Sequence, residues 1–427
     1  MDSQLKFYKR EEDEIQKVFA VTLDSWGDLE FFRPTTTPNA LKHLADIYRD
    51  FFISAAPFLF GKFSIFHVPE DIRLPFKLED GEDLHLTAKK YLKKNYAGKE
   101  AKAFIEELKS RGYFYEVKGK NPFMHRFMAF KNIGFLSEAE KDARFKVNSS
   151  FFTFDVLDED SLVDLYGTPI GLMVKDGKIL SPPLFGREAL IVYKDGRCEV
   201  KPVTLNDIKI NIEGTIYERP EHRSAPIKPK GAFGRRFNVC IVENKIVSIE
   251  DGRCKIPCSG FVINTAEKHS LGETVICSGM EDVLFAIQCG NSCIVNGKPT
   301  TEFRSGYFNW KKPGSVPTVP GRYPLDYEKA RAPRIAIGNN RDGAPVIFWA
   351  EGASKCRHIK GEDSCGASLL EMSEIAKDLG LVNAINLDGG GSAQILFNGE
   401  RRLLISDRSF PDNSESERPV PIGLMVK

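Results

Sequence analysis

The stretch Asn383–Glu400, NAINLDGGGSAQILFNGE, decides the reading of this chain. It passes from a strand-like NAINL through one acid, Asp388, three consecutive glycines and Ser392 into QILF, and then into Asn398-Gly399. Asn-Gly between apolar runs is a strong hairpin signal, because both central residues of a type I′ turn need positive φ. A plain turn uses one or two glycines. A third goes beyond that need, since residues without side chains let backbone N–H groups approach a ligand and cradle an anion. The competing reading is a bulged turn where another backbone passes close, with Asp388 closing an Asx-turn. The turn lacks the lysine of a P-loop and does not by itself choose between the two.

Upstream, Ser368 and Glu371 form an S-x-x-E capping box, and Leu369, Met372, Ile375, Ala376 and Leu379 supply one helical stripe that Gly380 closes. The order is therefore helix, strand, glycine turn, hairpin. From Phe145 onward the texture is similar: short apolar runs such as IGLMVKDGKIL, ALIVYKDGRCEVKPV and NVCIVENKIVSIEDGRC are broken by Asp-Gly, Asn-Gly and Pro. Such spacing predicts an antiparallel, strand-rich domain.

The first third reads differently. TPNALKHLADIYRDFF offers Thr37 as N-cap and Pro38 at the first helical position, and KEAKAFIEELKSRGY repeats the amphipathic pattern up to Gly112. The expected fold class is α+β: a mixed or antiparallel strand-rich domain with a few helices over 145–427, and a mainly helical segment over 1–144. Because KVFAVTLDSWGDLEFF, residues 17–32, reads as a strand, part of that segment is expected to be an insertion into the main sheet. The heptapeptide PIGLMVK occurs twice, at 169–175 and 421–427; the flanks do not match, so it is read as two similar strands.

Sixty basic against fifty-nine acidic residues leave a formal charge of +1, so no broad field draws nucleic acid or an anionic membrane. No run is long enough to span a bilayer and the first residues lack a leader pattern, so a cytoplasmic protein is expected. The nine cysteines fall between Cys198 and Cys365 in apolar surroundings, which favours buried thiols over a disulfide framework. A four-thiolate zinc site from Cys254, Cys258, Cys289 and Cys293 is the weaker reading. The seven histidines show no metal-binding spacing and no G-x-S-x-G elbow exists. The basic stretch Arg223–Phe237 is rich in Pro and Gly and reads as a solvated loop.

With its capped helix, NAINLDGGGSA closely resembles the signature of the phosphodiester glycosidase family. Three further segments match in the same order: KVNSSFFTFD (146–155), RAPRIAIGNNRDG (331–343) and SERPVPIGLMV (416–426). Ser150 stands where the family commonly has Gly, and Ile335 where it has Thr. The resemblance covers about 145–427 and gives the first third no counterpart.

Members of this family are thought to split the bond between a sugar's anomeric carbon and a phosphate that is itself esterified. The leaving group is a stable anion, so the site needs less general-acid help than an ordinary glycosidase and more help in holding phosphate and positive charge at the ring. The resemblance implies Asp388 as a catalytic carboxylate and Arg334 as a catalytic clamp on phosphate or carboxylate. It implies Asn148, Asn386, Gly389, Gly390, Gly391, Ser392 and Arg418 as substrate contacts. Asn148 also reads as a strand-end hydrogen-bonder, and the two arginines as partners of surface acids. Asp155, Glu267, Asp342 and Glu417 lie in or beside matched segments, and none stands out as a second carboxylate. The implied partner is a carbohydrate-phosphate substrate, with no nucleic acid and no membrane span; the resemblance fixes no cofactor, and a divalent cation is compatible with the site. Alternatives are a nucleotide-sugar or sugar-phosphate hydrolase on the same fold, or a catalytically silent glycan-binding protein.

Overall fold

The computed structural model of the chain describes residues 2–11, 14–53, 61–121, 125–154, 163–183, 186–217, 226–227, 237–251, 254–257, 259–303, 331–352, 359–407 and 414–427. Three sheets meet around one core. A seven-stranded sheet runs in the order Asp2–Glu11, Glu14–Thr22, Pro345–Ala350, Arg334–Asn339, Asn383–Asn386, Ser292–Val295 and Lys298–Pro299, with each pairing antiparallel. Its inward face contributes Ile335, Ile337, Ile347, Trp349, Ile385 and Leu387 to the core. One five-stranded sheet, Glu400–Arg401, Ile395–Phe397, Phe145–Asn148, Gly423–Val426 and Glu30–Phe32, adds Phe145, Val147, Ile395, Leu424 and Val426. The other, built around Glu188–Tyr193 and Val283–Gln288, adds Leu190, Val192, Phe285 and Ile287. Alternation along each strand places these residues on one face, which is why runs such as RIAIGN and NAIN form sheet and not helix.

Four α-helices are described: α1 (Pro38–Ile47), α2 (Leu84–Asn95), α3 (Lys99–Ser110) and α4 (Leu369–Asp378). In α4 the Ser368 and Glu371 capping box forms as expected, and Met372, Ile375 and Ala376 pack on the outer face of the seven-stranded sheet against Ala336, Phe348 and Ala384. At α1, Thr37 accepts the Ala40 N–H and Pro38 opens the helix.

The expectation of a mainly helical 1–144 is corrected. α1, α2 and α3 alternate there with strands: Asp2–Glu11 and Glu14–Thr22 enter the seven-stranded sheet, Glu30–Phe32 enters a five-stranded one, and Lys62–Phe66, Phe114–Lys118 and His125–Ala129 form a sheet of their own. Charged residues obscured those last strands in the sequence. In FYEVK and HRFMA the buried positions Val117, Phe127 and Met128 sit among ionic neighbours that face outward, so no clean apolar run marks the sheet. α1 packs with this sheet against the outer face of the five-stranded sheet, where Leu41, Leu44 and Tyr48 share a core with Leu396, Val420 and Met425.

Both copies of PIGLMVK end in strands, Met173–Lys175 and Gly423–Val426, which lie in different five-stranded sheets. Seven described cysteines are free thiols, and Cys240, Cys254, Cys289 and Cys293 are buried. Cys289 belongs to the core between the sheets and Cys293 to the α4 side, so the second pair of the weaker zinc reading does not converge. Cys258 lies outside the described residues. Among the described residues no helix is long and apolar enough to cross a membrane.

Candidate active site around the glycine turn

Strand Asn383–Asn386 runs beside Arg334–Asn339, with Ala336 opposite Asn386, and the Leu387 N–H donates to the Ile335 carbonyl at 2.8 Å. The ladder ends there: the Asp388 N–H turns to the Ser149 carbonyl, and a Cβ on Gly389 would lie 3.6 Å from Arg334 Cδ, so Arg334 stands beside the turn. Arg334 is buried and its Nε donates to the Ala367 carbonyl at 3.2 Å. Asp388 and the three glycines are half-buried.

Each glycine answers a separate requirement. A Cβ on Gly389 would stand 2.7 Å from the Pro333 carbonyl oxygen, so that position keeps two backbones in contact. Gly390 has φ +60, with its N–H donating to Pro333 O at 2.8 Å. At Gly391 a Cβ would meet Arg418 Nη2 at 2.1 Å and Asp407 Oδ1 at 2.3 Å. Two glycines therefore serve the turn, and the third makes room for an ion pair. The N–H groups of Asp388, Gly390 and Ser392 are taken by Ser149, Pro333 and Gly389 carbonyls. Among the described residues those of Gly389 and Gly391 take no backbone acceptor, which leaves two donors in the turn.

Asn148, at the end of strand Phe145–Asn148, spans the turn. Its Nδ2 donates to the Asp388 carbonyl at 2.7 Å and its Oδ1 accepts the Gln394 N–H at 2.9 Å. Asn148 is 1% exposed, so its amide braces the backbone on both sides of the glycines. Asn386 is equally buried: Nδ2 donates to Asn291 O at 3.1 Å, while Oδ1 has no partner. Ser149 Oγ and Gln394 Oε1, on either side of Asn148's contacts, are also buried without partners. Buried polar atoms left unsatisfied are uncommon, and three of them gathered at one turn mark it as a place that packing alone does not explain. Ser392 is 2% exposed within the 3₁₀ turn Gly390–Ser392.

Over Gly391 lies a bidentate pair. Arg418 Nε donates to Asp407 Oδ2 at 2.9 Å and Nη2 to Oδ1 at 3.1 Å. The guanidinium carbon also sits 5.0 Å from the centre of the Phe154 ring, and Gln394 Nε2 donates to the Arg418 carbonyl at 2.6 Å. Both charges are partly exposed, so this is a reachable cation and not a core pair. Ser416 N–H donates to the Asp407 carbonyl at 3.0 Å, and the Ser416 hydroxyl contacts Nε2 of His43 on α1. Burial pushes the His43 pKa down, opposed by the carboxylates of Asp46, Asp407 and Glu417.

The structure thus groups all nine residues expected at the site on or beside one turn. It adds two that the sequence reading passed over. Asp407 is a lone acid after the buried pair Leu403 and Ile405, a faint signal, and His43 arrives from another part of the chain. Of the four acids weighed as second carboxylates, Glu417 accepts the Ser137 N–H and pairs with Arg401, Asp342 lies in an exposed turn, and Glu267 bonds Tyr217. Asp155 lies outside the described residues. Glu351, which follows strand Pro345–Ala350, is a fifth: burial raises its pKa, against a 3.4 Å bond from the Leu404 N–H. Among the described residues no group of three His, Cys, Asp or Glu side chains is arranged to hold a metal ion.

A family model described as phosphodiester glycosidase matches residues 259–427. The curated N-acetylglucosamine-1-phosphodiester alpha-N-acetylglucosaminidases of human and mouse are 46% and 42% identical over 74 residues, which is 17% of this chain and 13% of each relative's length. Solved structures similar over the whole chain include a hypothetical protein from Synechocystis (TM-score 0.45, 15% identity, 62% of that chain). Another is the zebrafish N-acetylglucosamine-1-phosphodiester alpha-N-acetylglucosaminidase catalytic domain, auto-inhibited by its pro-peptide (TM-score 0.37, 14% identity, 82% of that chain). Over residues 259–427, which hold the glycine turn, the resemblance read from the sequence is borne out by the family model, and there this chain matches the phosphodiester glycosidase family.

Proposed function

We propose that this protein is a hydrolase that cleaves the bond between a sugar's anomeric carbon and phosphate in a glycosyl-1-phosphodiester. The observation that carries the reading is the pair of arginines at the glycine turn, Arg334 beside Gly389 and Arg418 over Gly391. Arginine forks suit phosphate oxygens, and a phosphodiester brings acceptors without donors. The N–H groups of Gly389 and Gly391 extend the same preference. Asp388 supplies negative charge beside the cation, where positive charge develops at the ring as the bond to phosphate lengthens. In the net step water's oxygen bonds to the anomeric carbon and gives up one proton, the carbon–oxygen bond to phosphate breaks, and the phosphate monoester leaves with the electron pair and takes up that proton or releases it to solvent.

The test is hydrolysis of a panel of α- and β-glycosyl-1-phosphodiesters, nucleotide sugars and sugar phosphates, with and without chelator. N-acetylglucosamine phosphodiesters lead the panel because the curated relatives are named for them. Release of free sugar, with a loss of at least ~10²-fold in Asp388→Asn, supports the reading. Binding of a panel member without turnover, unaffected by that substitution, replaces it with a silent glycan-binding role.

A further inference from the structure

α1 lies outside the residues that the family model matches, yet it reaches the Arg418 site by two routes. One runs from His43 Nε2 to the Ser416 hydroxyl, and from the Ser416 N–H to the carbonyl of Asp407, the carboxylate that grips Arg418. The other runs from Tyr48, at the end of the helix, whose hydroxyl donates to the Phe154 carbonyl and whose ring lies 5.2 Å from the Phe154 ring, the surface on which the Arg418 guanidinium rests. Tyr48 is fully buried, Ser416 is 6% exposed and His43 is half-buried against Phe135. The helix is held from beneath by Leu41 and Leu44 in the core it shares with Val420 and Met425. Its position relative to Arg418 is thus set by packing on both sides.

We propose that α1 is a wall of the active site, in which His43 and Tyr48 are positioning residues that fix the Asp407–Arg418 pair for the substrate's phosphate. The inference rests on the phosphodiester reading for what Arg418 binds. An arginine that must exchange a carboxylate for a phosphate needs the displaced carboxylate to stay in place, because a loose Asp407 would follow the guanidinium and compete with the ligand. Ser416, held at its hydroxyl by His43 and at its N–H by Asp407, supplies that restraint. Phe154, held by Tyr48, fixes the plane of the guanidinium.

The test uses the full chain and compares His43→Phe, which keeps a ring against Phe135 and removes the nitrogen, with His43→Gln, whose amide still reaches Ser416. Both are made in the wild-type and Arg418→Gln backgrounds, with turnover of a glycosyl phosphodiester as the readout. Expected are a rise in KM of at least ~10-fold for His43→Phe, recovery to within ~3-fold of wild type for His43→Gln, and no further loss when His43→Phe is added to Arg418→Gln. Wild-type turnover in His43→Phe, or additive losses in the double variant, overturns the inference. If the wild type turns over no panel member, the proposed reaction fails instead. The positional claim is then read from the Arg418 Nε–H resonance, which His43→Phe shifts if the inference holds and leaves in place if it does not.

Discussion

Asn148 grips Asp388 by its backbone and not by its carboxylate: Nδ2 meets the Asp388 carbonyl at 2.7 Å while Oδ1 holds the Gln394 N–H. One buried amide thus closes a bracket around the three glycines and leaves the Asp388 side chain to other partners. Asn148→Asp keeps the shape and the acceptor but removes the donor, stranding a buried carbonyl and setting a carboxyl oxygen against it. It is expected to destabilise the fold by about 1–3 kcal/mol and to lower turnover even though no substrate contact is deleted. Urea unfolding beside steady-state kinetics checks it; unchanged stability with lost turnover would make Asn148 a direct substrate contact.

The glycines separate by substitution. Gly390→Ala places a side chain at φ +60 in otherwise open space and is expected to lose about 1 kcal/mol of stability, with turnover within a few-fold of wild type. Gly391→Ala drives a methyl into the Arg418–Asp407 pair and is expected to lose phosphodiester affinity by at least ~10-fold with a smaller effect on melting. Equal effects at the two positions would mean that Gly391 is only another turn residue.

Acid stability is expected to depend on His85. Its Nε2 accepts the Val68 N–H at 3.3 Å and lies 3.0 Å from His67 Nδ1, and burial pushes its pKa down to about 3. The unfolded chain takes up that proton near the ordinary value of about 6.5, so stability is fully present above it and is lost as pH falls toward about 3, with a limiting slope of about 1.4 kcal/mol per unit. His85→Gln keeps an acceptor for Val68 and is expected to flatten the fall in that window, measured by unfolding midpoint against pH. A slope unaltered by the substitution would place the acid sensitivity elsewhere.

Glu351 works in the opposite sense. Burial raises its pKa, so its contribution is fully present below the unfolded value and is lost as pH rises through the folded one. Glu351→Gln preserves the acceptor for Leu404 and removes the charge. The variant is expected to be more stable than wild type near pH 8 and indistinguishable near pH 4, by melting at the two pH values. A destabilised variant at pH 8 would show the carboxylate to be paired when ionised.

Local chemistry was legible from the sequence wherever a turn or cap is written in consecutive residues. Ser368 with Glu371, Thr37 with Pro38, and Asn398-Gly399, both at positive φ, form as read. The glycine turn was legible as a site but not in its division of labour, because the Pro333 backbone behind Gly389 and the Arg418–Asp407 pair over Gly391 come from other strands. Asp407 and His43 were invisible for the same reason: neither sits in a motif, and each acquires meaning only through Arg418 and Ser416. The small sheet around Lys62–Phe66 was missed because its pairing with His125–Ala129 is parallel and long-range, with no hairpin signal between the two strands.

Strand Gly423–Val426 lies between Phe145–Asn148 and Glu30–Phe32, which do not pair with each other. During synthesis, then, Glu30–Phe32 has no neighbour in its sheet until residues 423–426 have emerged, and Glu14–Thr22, paired at once with Asp2–Glu11, waits for Pro345–Ala350 on its other edge. Closure over such separations is slow, so the nascent chain carries open strand edges while the intervening residues are made. The Arg418 site needs α1 from one end of that interval and Arg418 from the other, so any activity at the turn reports on closure of the sheet that joins them.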